Sequence, residues 1–248
     1  MAESLLFGMA YRYYQGILER VLDETPQVKR FFIRIPELSA FTFHAGQFVM
    51  LDLPIESKIK TRAYSIASPP DESNLLELVI VLKDGGLGTS YLFGETREGS
   101  RILISEPIGK FTRPRPERFE IPLCFICTGT GVAPFRSMIY DILNHKVPFE
   151  TIYLVTGSRL PADLLYLKEW NAMQEKLPNF FYRPVLSRAG EDWSGRKGYV
   201  HEHYTDIAAQ FPETLFYICG WKEMINQARK NLMDYGISKT QIRFEMYD

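Results

Sequence analysis

The chain has 248 residues, 46% apolar and 24% charged, a length that fits two compact domains or one large barrel and a composition that excludes extensive disorder and collagen. Its 29 basic and 30 acidic residues leave a formal net charge of −1, no electrostatic footprint for nucleic acid. Three cysteines are too few for a disulfide framework or a four-thiolate iron–sulfur cluster.

Residues 1–10 include an apolar patch, but Glu3 and the missing basic segment argue against a secretory signal. No apolar run reaches the length needed to cross a bilayer. The expectation is a protein of the reducing cytoplasm, with no membrane span. From 14 to about 104 the chain consists of short runs rich in branched and aromatic residues, broken by turns. Phe31-Phe32-Ile33-Arg34-Ile35, Phe48-Val49-Met50-Leu51 and the run over 75–82 are examples. Closely spaced strands without a long helical period predict an antiparallel barrel or sandwich. Thr112-Arg113-Pro114-Arg115-Pro116-Glu117-Arg118 follows. Two prolines among charges continue neither a helix nor a central strand. They place the domain boundary between 1–115 and 116–248.

Beyond the boundary the order becomes strand, glycine turn, helix. Leu123-Cys124-Phe125-Ile126-Cys127 is a buried-strand run, 128–134 a turn, and 135–143 has helical spacing. A strand over 151–155, a helix over 164–176, strands over 180–186 and 214–219 and a helix over 223–235 come next. Alternation of this kind predicts a parallel sheet with crossover helices. Glu245-Met246-Tyr247 reads as a last strand, with Glu245 and Tyr247 on one face.

Several segments carry chemistry. Thr128-Gly129-Thr130-Gly131-Val132-Ala133-Pro134 joins a buried strand to a helix. Glycines there let the backbone approach a pyrophosphate at the helix amino terminus, or serve only as a tight turn. Ser187-Arg188 closes a later strand, Lys197 and Tyr199 follow a glycine-bearing loop, and Thr156-Gly157-Ser158-Arg159 ends the strand before. Together they can hold a phosphate monoester; the alternative is solvated loop charge. In the first domain, Arg62-Ala63-Tyr64-Ser65-Ile66-Ala67-Ser68 follows a candidate strand and sets a guanidinium beside an aromatic ring. Asp84-Gly85-Gly86-Leu87-Gly88-Thr89-Ser90-Tyr91-Leu92 is a glycine turn entering a short helix, a second pyrophosphate cradle or a plain β-turn. Cys124 and Cys127 point to opposite faces of a strand, and His201-Glu202-His203 lacks a third ligand, so neither is expected to hold a metal. Met138 and Ile142 are expected in the core. Lys110, Arg113, Arg115 and Arg118 are either a docking stripe for an acidic protein or an ordinary charged linker.

The order of these segments, with Pro107-Ile108-Gly109-Lys110-Phe111, Cys219-Gly220-Trp221-Lys222-Glu223-Met224 and Glu245-Met246-Tyr247, resembles the ferredoxin–NADP reductase superfamily. Its members pair an FAD-binding β-barrel with a nicotinamide-binding α/β domain. The resemblance implies Arg62 on the FAD pyrophosphate, Tyr64 against the isoalloxazine, the Ser65 hydroxyl near flavin N5, and Ala63 among the cofactor-binding residues. It places Gly88, Thr89 and Ser90 at the FAD phosphates and Ile80, Val81 and Lys83 along the cofactor. Gly129, Thr130, Gly131, Pro134 and Gly220 fall to the nicotinamide nucleotide, Cys219 and Glu245 to the hydride-transfer position, and Tyr247 to the flavin face. Ser187, Arg188, Lys197 and Tyr199 match the pocket for the 2′-phosphate of NADP(H), with Ser158 and Arg159 expected to cover the same nucleotide.

The implied activity is hydride exchange between NADP(H) and FAD, with single electrons passed to or from ferredoxin or flavodoxin. Two departures matter. Asp248 follows the tyrosine that ends plant-type members, and this sequence holds no cysteine-rich segment, so the electron carrier is expected to be a separate protein or a small molecule. A flavin reductase or the reductase component of an oxygenase would use the same site. A non-enzymatic FAD electron-transfer subunit would not need the intact turn over 129–134 and Cys219-Gly220.

Overall fold

The computed structural model describes residues 11–114 and 116–247. The apolar patch over 1–10, Arg115 of the linker and Asp248 lie outside the described residues. The first half supplies β1 (Tyr13–Thr25), β2 (Val28–Arg34), β3 (Phe48–Ile55), β4 (Lys58–Ser65), β5 (Leu75–Val81) and β6 (Arg101–Ser105). They form one six-stranded sheet in the order β4-β3-β6-β1-β2-β5, every pair antiparallel. An isolated bridge between Ile66 and Leu78 brings the two edges together, so the sheet closes into a barrel and hides its edges. Alternation drives it. In β3, Val49, Leu51 and Leu53 are buried while the residues between them are partly exposed. The strand β1 was less legible because register shifts at Leu18/Arg20 and Asp23/Thr25 interrupt its period of two. Helix α1 (Leu87–Gly94) spans the gap between β5 and β6.

The second half gives β7 (Leu123–Thr128), β8 (Ile152–Ser158), β9 (Phe180–Leu186), β10 (Arg196–Lys197), β11 (Leu215–Trp221) and β12 (Ile242–Tyr247). These form a six-stranded sheet, β10-β9-β8-β7-β11-β12, all parallel. Helices α2 (Ala133–Asn144) and α3 (Leu167–Lys176) cover one face, and α4 (Thr205–Gln210) and α5 (Lys222–Asp234) the other. That explains the unbroken apolar run of β7. Phe125 and Cys127 pack with α2 and α3, Cys124 and Ile126 with α4 and α5. Met138 and Ile142 sit in the core as expected.

The chain leaves β7 toward β8, β9 and β10, then returns to lay β11 on the other side of β7. The crevice between β7 and β11 is therefore the topological switch point, where open α/β sheets take ligands. Barrel and parallel sheet share apolar packing. Ala45, Ala67 and Val79 join Phe125, Phe135 and Met138 in one cluster, and the Phe111 ring lies 6.0 Å from Phe135 and 5.8 Å from Tyr217. Two local expectations change. Arg62 lies inside β4 rather than after it, and the helix expected from 164 begins at Leu167, because 161–163 form a 3-10 turn and Tyr166 turns left-handed.

Candidate functional site at the barrel–sheet junction

The strand β4 ends on Ser65, whose buried hydroxyl donates to Glu245 Oε2 of β12 at 3.1 Å. In the parallel β11–β12 ladder Glu245 is the register partner of Cys219, and Tyr247 that of Trp221. The register brings Glu245, Tyr247 and the buried Cys219 to one end of the sheet, against the barrel. Burial raises the Glu245 carboxyl to about 7, with the Ser65 donation acting in the opposite direction. The Cys219 thiol is pushed well up by burial and then by the Glu245 charge. Burial, Cys219 and Glu245 do the same to the Tyr247 hydroxyl, which is buried beside Ser65 and Cys219. Each of the three shifts is toward the protonated form.

At the switch point, the loop Gly129–Val132 forms a 3-10 turn leading into α2. Gly129 has φ +51, and a Cβ on Gly131 would stand 2.5 Å from the Cys219 carbonyl oxygen. Only glycine permits that contact with β11. Gly220 adopts φ +143, and a Cβ there would meet Thr128 Oγ1 at 2.5 Å. The loop after β7 and the end of β11 therefore touch. Thr128 Oγ1 is itself buried without a partner, and Pro134 sits in the first turn of α2, where a missing N–H is harmless.

On the barrel side, Gly86 precedes α1 without a side-chain cap, so the first-turn amides keep their donors. The Arg62 stem crosses Gly88, where an added Cβ would lie 2.9 Å from Arg62 Cγ. Arg62 donates to Thr61 O at 2.8 Å and pairs with no carboxylate among the described residues. Thr89 Oγ1 holds the turn through Lys83 N at 3.1 Å and Gly86 O at 3.0 Å, and Ser90 is exposed beside it.

A third group gathers at the carboxyl ends of β8, β9 and β10. Ser187 N donates to Ser158 O at 3.0 Å and Arg188 N to Arg159 O at 2.9 Å. Lys197 pairs in register with Leu186 and reaches Gly190 O at 3.2 Å. Arg159 and Arg188 carry no ion pair among the described residues, and Tyr199 is 69% exposed.

Two family models match the chain, the oxidoreductase FAD-binding domain over residues 16–112 and the oxidoreductase NAD-binding domain over 125–230. The chain is 32% identical over 242 residues to ferredoxin–NADP reductase B of Sorangium cellulosum (strain So ce56), covering 95% of this chain and 98% of that one. The chain belongs to the ferredoxin–NADP reductase superfamily. It is also 31% identical to the phenol 2-monooxygenase reductase component DmpP of Pseudomonas sp. (strain CF600), covering 99% of this chain and 69% of that one. Among solved structures it matches a ferredoxin NADP+ reductase from Neisseria gonorrhoeae with bound FAD and NADP, at TM-score 0.80 and 28% identity, covering 94% of this chain and 98% of that one.

The residues of this reductase fit the two nucleotides of its family. Arg62 over Gly88 and the uncapped start of α1 offer a guanidinium and free N–H donors, the groups that a pyrophosphate would take. The close backbone approaches at Gly131 and Gly220, with the unpartnered Thr128 hydroxyl, leave donors and room that a second nucleotide would use. Tyr64 is half-buried at the barrel edge and Ala63 exposed next to it. The Ile80 side chain is buried in the barrel core, and Val81 packs at the domain junction. Lys83 is exposed with its ammonium 6.0 Å from the Trp221 ring centroid. Arg113 leaves the basic stripe, since it is 9% exposed and donates to Asp141 Oδ2 at 2.7 Å.

Cys124 and Cys127 are buried on opposite sheet faces. His201 Nδ1 contacts the Tyr204 hydroxyl at 3.0 Å and His203 Nε2 meets Lys197 O at 2.8 Å. No group of three or more His, Cys, Asp or Glu among the described residues is placed to hold a metal, and no helix among them is long and apolar enough to cross a membrane. The residues that sequence reasoning missed are Glu24, Arg30, Glu77, Arg136, Tyr166 and Glu169. They are scattered along the chain and meet only at the domain junction.

Proposed function

We propose that this oxidoreductase exchanges a hydride between NADP(H) and FAD and passes electrons singly to or from a separate ferredoxin or flavodoxin. Residues 1–115 would bind the flavin and 116–248 the nicotinamide nucleotide. The observation that carries this reading is the Ser65–Glu245 bond, which joins the flavin strand to the end of the nucleotide sheet beside Cys219. FAD, when bound, takes electrons as a pair and releases them one at a time.

The chain's own residues supply binding, orientation and charge. Arg62 and the amides opening α1 hold the FAD phosphates, while Tyr64 and Ser65 present β4 to the ring. The turn over 129–134 and Gly220 bring a second nucleotide to the same junction. Glu245, half protonated near neutral pH, holds a proton at its carboxyl within reach of Ser65 Oγ. Cys219, kept as a thiol by burial, shapes the pocket and is no nucleophile. Ser187, Arg188, Lys197, Ser158, Arg159 and Tyr199 recognise the 2′-phosphate, because a monoester supplies the acceptor that Arg159 and Arg188 lack.

A second reading, the reductase component of an oxygenase system, is favoured by the likeness to the phenol 2-monooxygenase reductase component. It shares the hydride site and differs in the acceptor. Reducing the flavin with NADPH and offering ferredoxin, flavodoxin or free flavin as acceptor separates the readings. The proposed activity requires protein carriers to be reduced at least tenfold faster than free flavin.

A further inference from the structure

A buried polar joint ties the two domains together away from the Ser65–Glu245 contact. Glu77 of β5 is 4% exposed. Its carboxylate accepts from Arg30 Nε at 2.6 Å, from the Tyr166 hydroxyl at 2.8 Å and from Arg136 Nη1 at 3.1 Å. Arg30 and Glu77 belong to the barrel, Arg136 and Tyr166 to the parallel-sheet domain. Arg136 Nη1 also donates to Ala67 O at 2.9 Å, and its Nη2 reaches Glu169 Oε1 at 2.7 Å. Arg30 and Arg136 each set a guanidinium over the Tyr166 ring, 4.8 Å from its centroid. Its amide donates to Glu24 Oε1 of the barrel at 2.6 Å.

Tyr166 holds φ at +55, a left-handed conformation that a bulky L-residue rarely adopts. Such strain persists where surrounding contacts over-determine it. Here the amide and the hydroxyl of one residue are both bound by the barrel. Burial keeps that hydroxyl protonated, with the Glu77 charge adding to the effect, so it remains a donor.

The location gives the joint its meaning. Arg136 lies two residues beyond Pro134, at the exit of the glycine turn, and Ala67 lies two residues beyond Ser65. One guanidinium therefore connects the helix that opens at the nucleotide turn to the segment that carries Ser65. Buried ion pairs add little net stability but fix geometry when every partner is satisfied.

We propose that Arg136, Glu77 and Tyr166 are positioning residues that set the turn over 129–134 against the Ser65 strand and thereby govern the hydride-transfer rate without touching either nucleotide. This rests on the hydride-transfer reading above. A displacement of about 1 Å at reacting groups can slow a reaction on the order of a hundredfold, so a joint this close to both segments has leverage.

The test uses the full chain with Tyr166→Phe, which deletes one hydroxyl and keeps the ring, and with Arg136→Gln and Arg136→Lys. Flavin-loaded protein is mixed with NADPH in a single turnover while NADP affinity and FAD content are measured separately. The expected result is a loss of at least fivefold in hydride transfer for Tyr166→Phe and tenfold or more for Arg136→Gln, with NADP affinity within twofold. Arg136→Lys should recover part of the rate.

Apoprotein gives a second readout. Exchange of the Tyr166 amide should quicken in each variant, and Glu77→Gln and Tyr166→Phe should be non-additive in unfolding free energy. Hydride transfer within twofold of the unaltered protein, or a loss matched by weaker NADP binding, overturns the proposal. If Arg136→Gln does not fold, Tyr166→Phe decides. If the unaltered protein is not reduced by nicotinamide, the functional reading fails, whereas additive apoprotein energies would independently show that the joint does not couple the domains.

Discussion

Ser65 and Glu245 lie 180 residues apart in sequence, yet the serine hydroxyl donates to the glutamate carboxylate at 3.1 Å. Because Glu245 is in register with Cys219, this one bond fixes the barrel strand against the switch-point edge of the parallel sheet. It exists only when the two domains are packed together, so the chemistry expected here belongs to neither domain alone.

That contact has a pH signature. The Glu245 carboxyl is raised from 4.5 to about 7 by burial, so the folded protein binds its proton more tightly than the unfolded chain does. The stability Glu245 contributes is complete below its unfolded value of 4.5 and is lost as pH rises through about 7. Glu245→Gln should abolish that part of the decline and be relatively more stable at pH above 7. Denaturant unfolding of both apoproteins across this window checks it; parallel curves would contradict the assignment.

Arg62→Ala should weaken FAD retention. A charge-assisted bond to phosphate contributes about 1.5–3 kcal/mol, or roughly ten- to a hundred-fold in affinity. Arg62 has no competing carboxylate among the described residues, so the loss should appear in full. Flavin occupancy after extensive dialysis is the measurement, and undiminished occupancy would remove Arg62 from the cradle.

Coenzyme choice should depend on Arg188. Its backbone is pinned to Arg159 at 2.9 Å while its guanidinium has no ion pair among the described residues. Arg188→Ala should raise KM for NADPH at least tenfold, that for NADH less than threefold, and leave kcat nearly unchanged, because the contact is remote from the hydride. Equal losses with both coenzymes would place Arg188 outside the phosphate pocket.

Much of this architecture was legible from period and punctuation. The branched and aromatic runs before residue 104 and the unbroken apolar run of β7 announced an antiparallel and a parallel sheet, and the glycines over 129–134 announced the turn from β7 into α2. What escaped had physical reasons. The bulges in β1 broke its alternation, and α4, six residues long, is too short to show a helical period. Arg113 looked like linker charge because its partner Asp141 lies on a different element. The Glu77 joint was invisible for the same reason: Tyr166 and Glu24 are 142 residues apart, Tyr166 and Glu77 89. Motif reading named the groups expected to meet the nucleotides and missed the buried groups that meet between the two domains.

Tyr247 packs against the parallel-sheet core with its hydroxyl buried beside Ser65 and Cys219. If its ring shields the flavin face, nicotinamide must displace it, and stacking contributes about 0.5–1.5 kcal/mol. Tyr247→Ser should then tighten NADP binding by roughly two- to tenfold and slow product release. Unchanged affinity would leave Tyr247 as packing.

The most direct test is an anaerobic titration of the purified protein, followed through its visible spectrum, with NADPH and NADH in separate runs. A flavin spectrum bleached by about one equivalent of NADPH, and reached with NADH only at far higher concentration, is the expected result. Absence of flavin absorbance from FAD-supplemented protein, or a bound flavin that neither nucleotide reduces, would contradict hydride exchange at the Ser65–Glu245 junction.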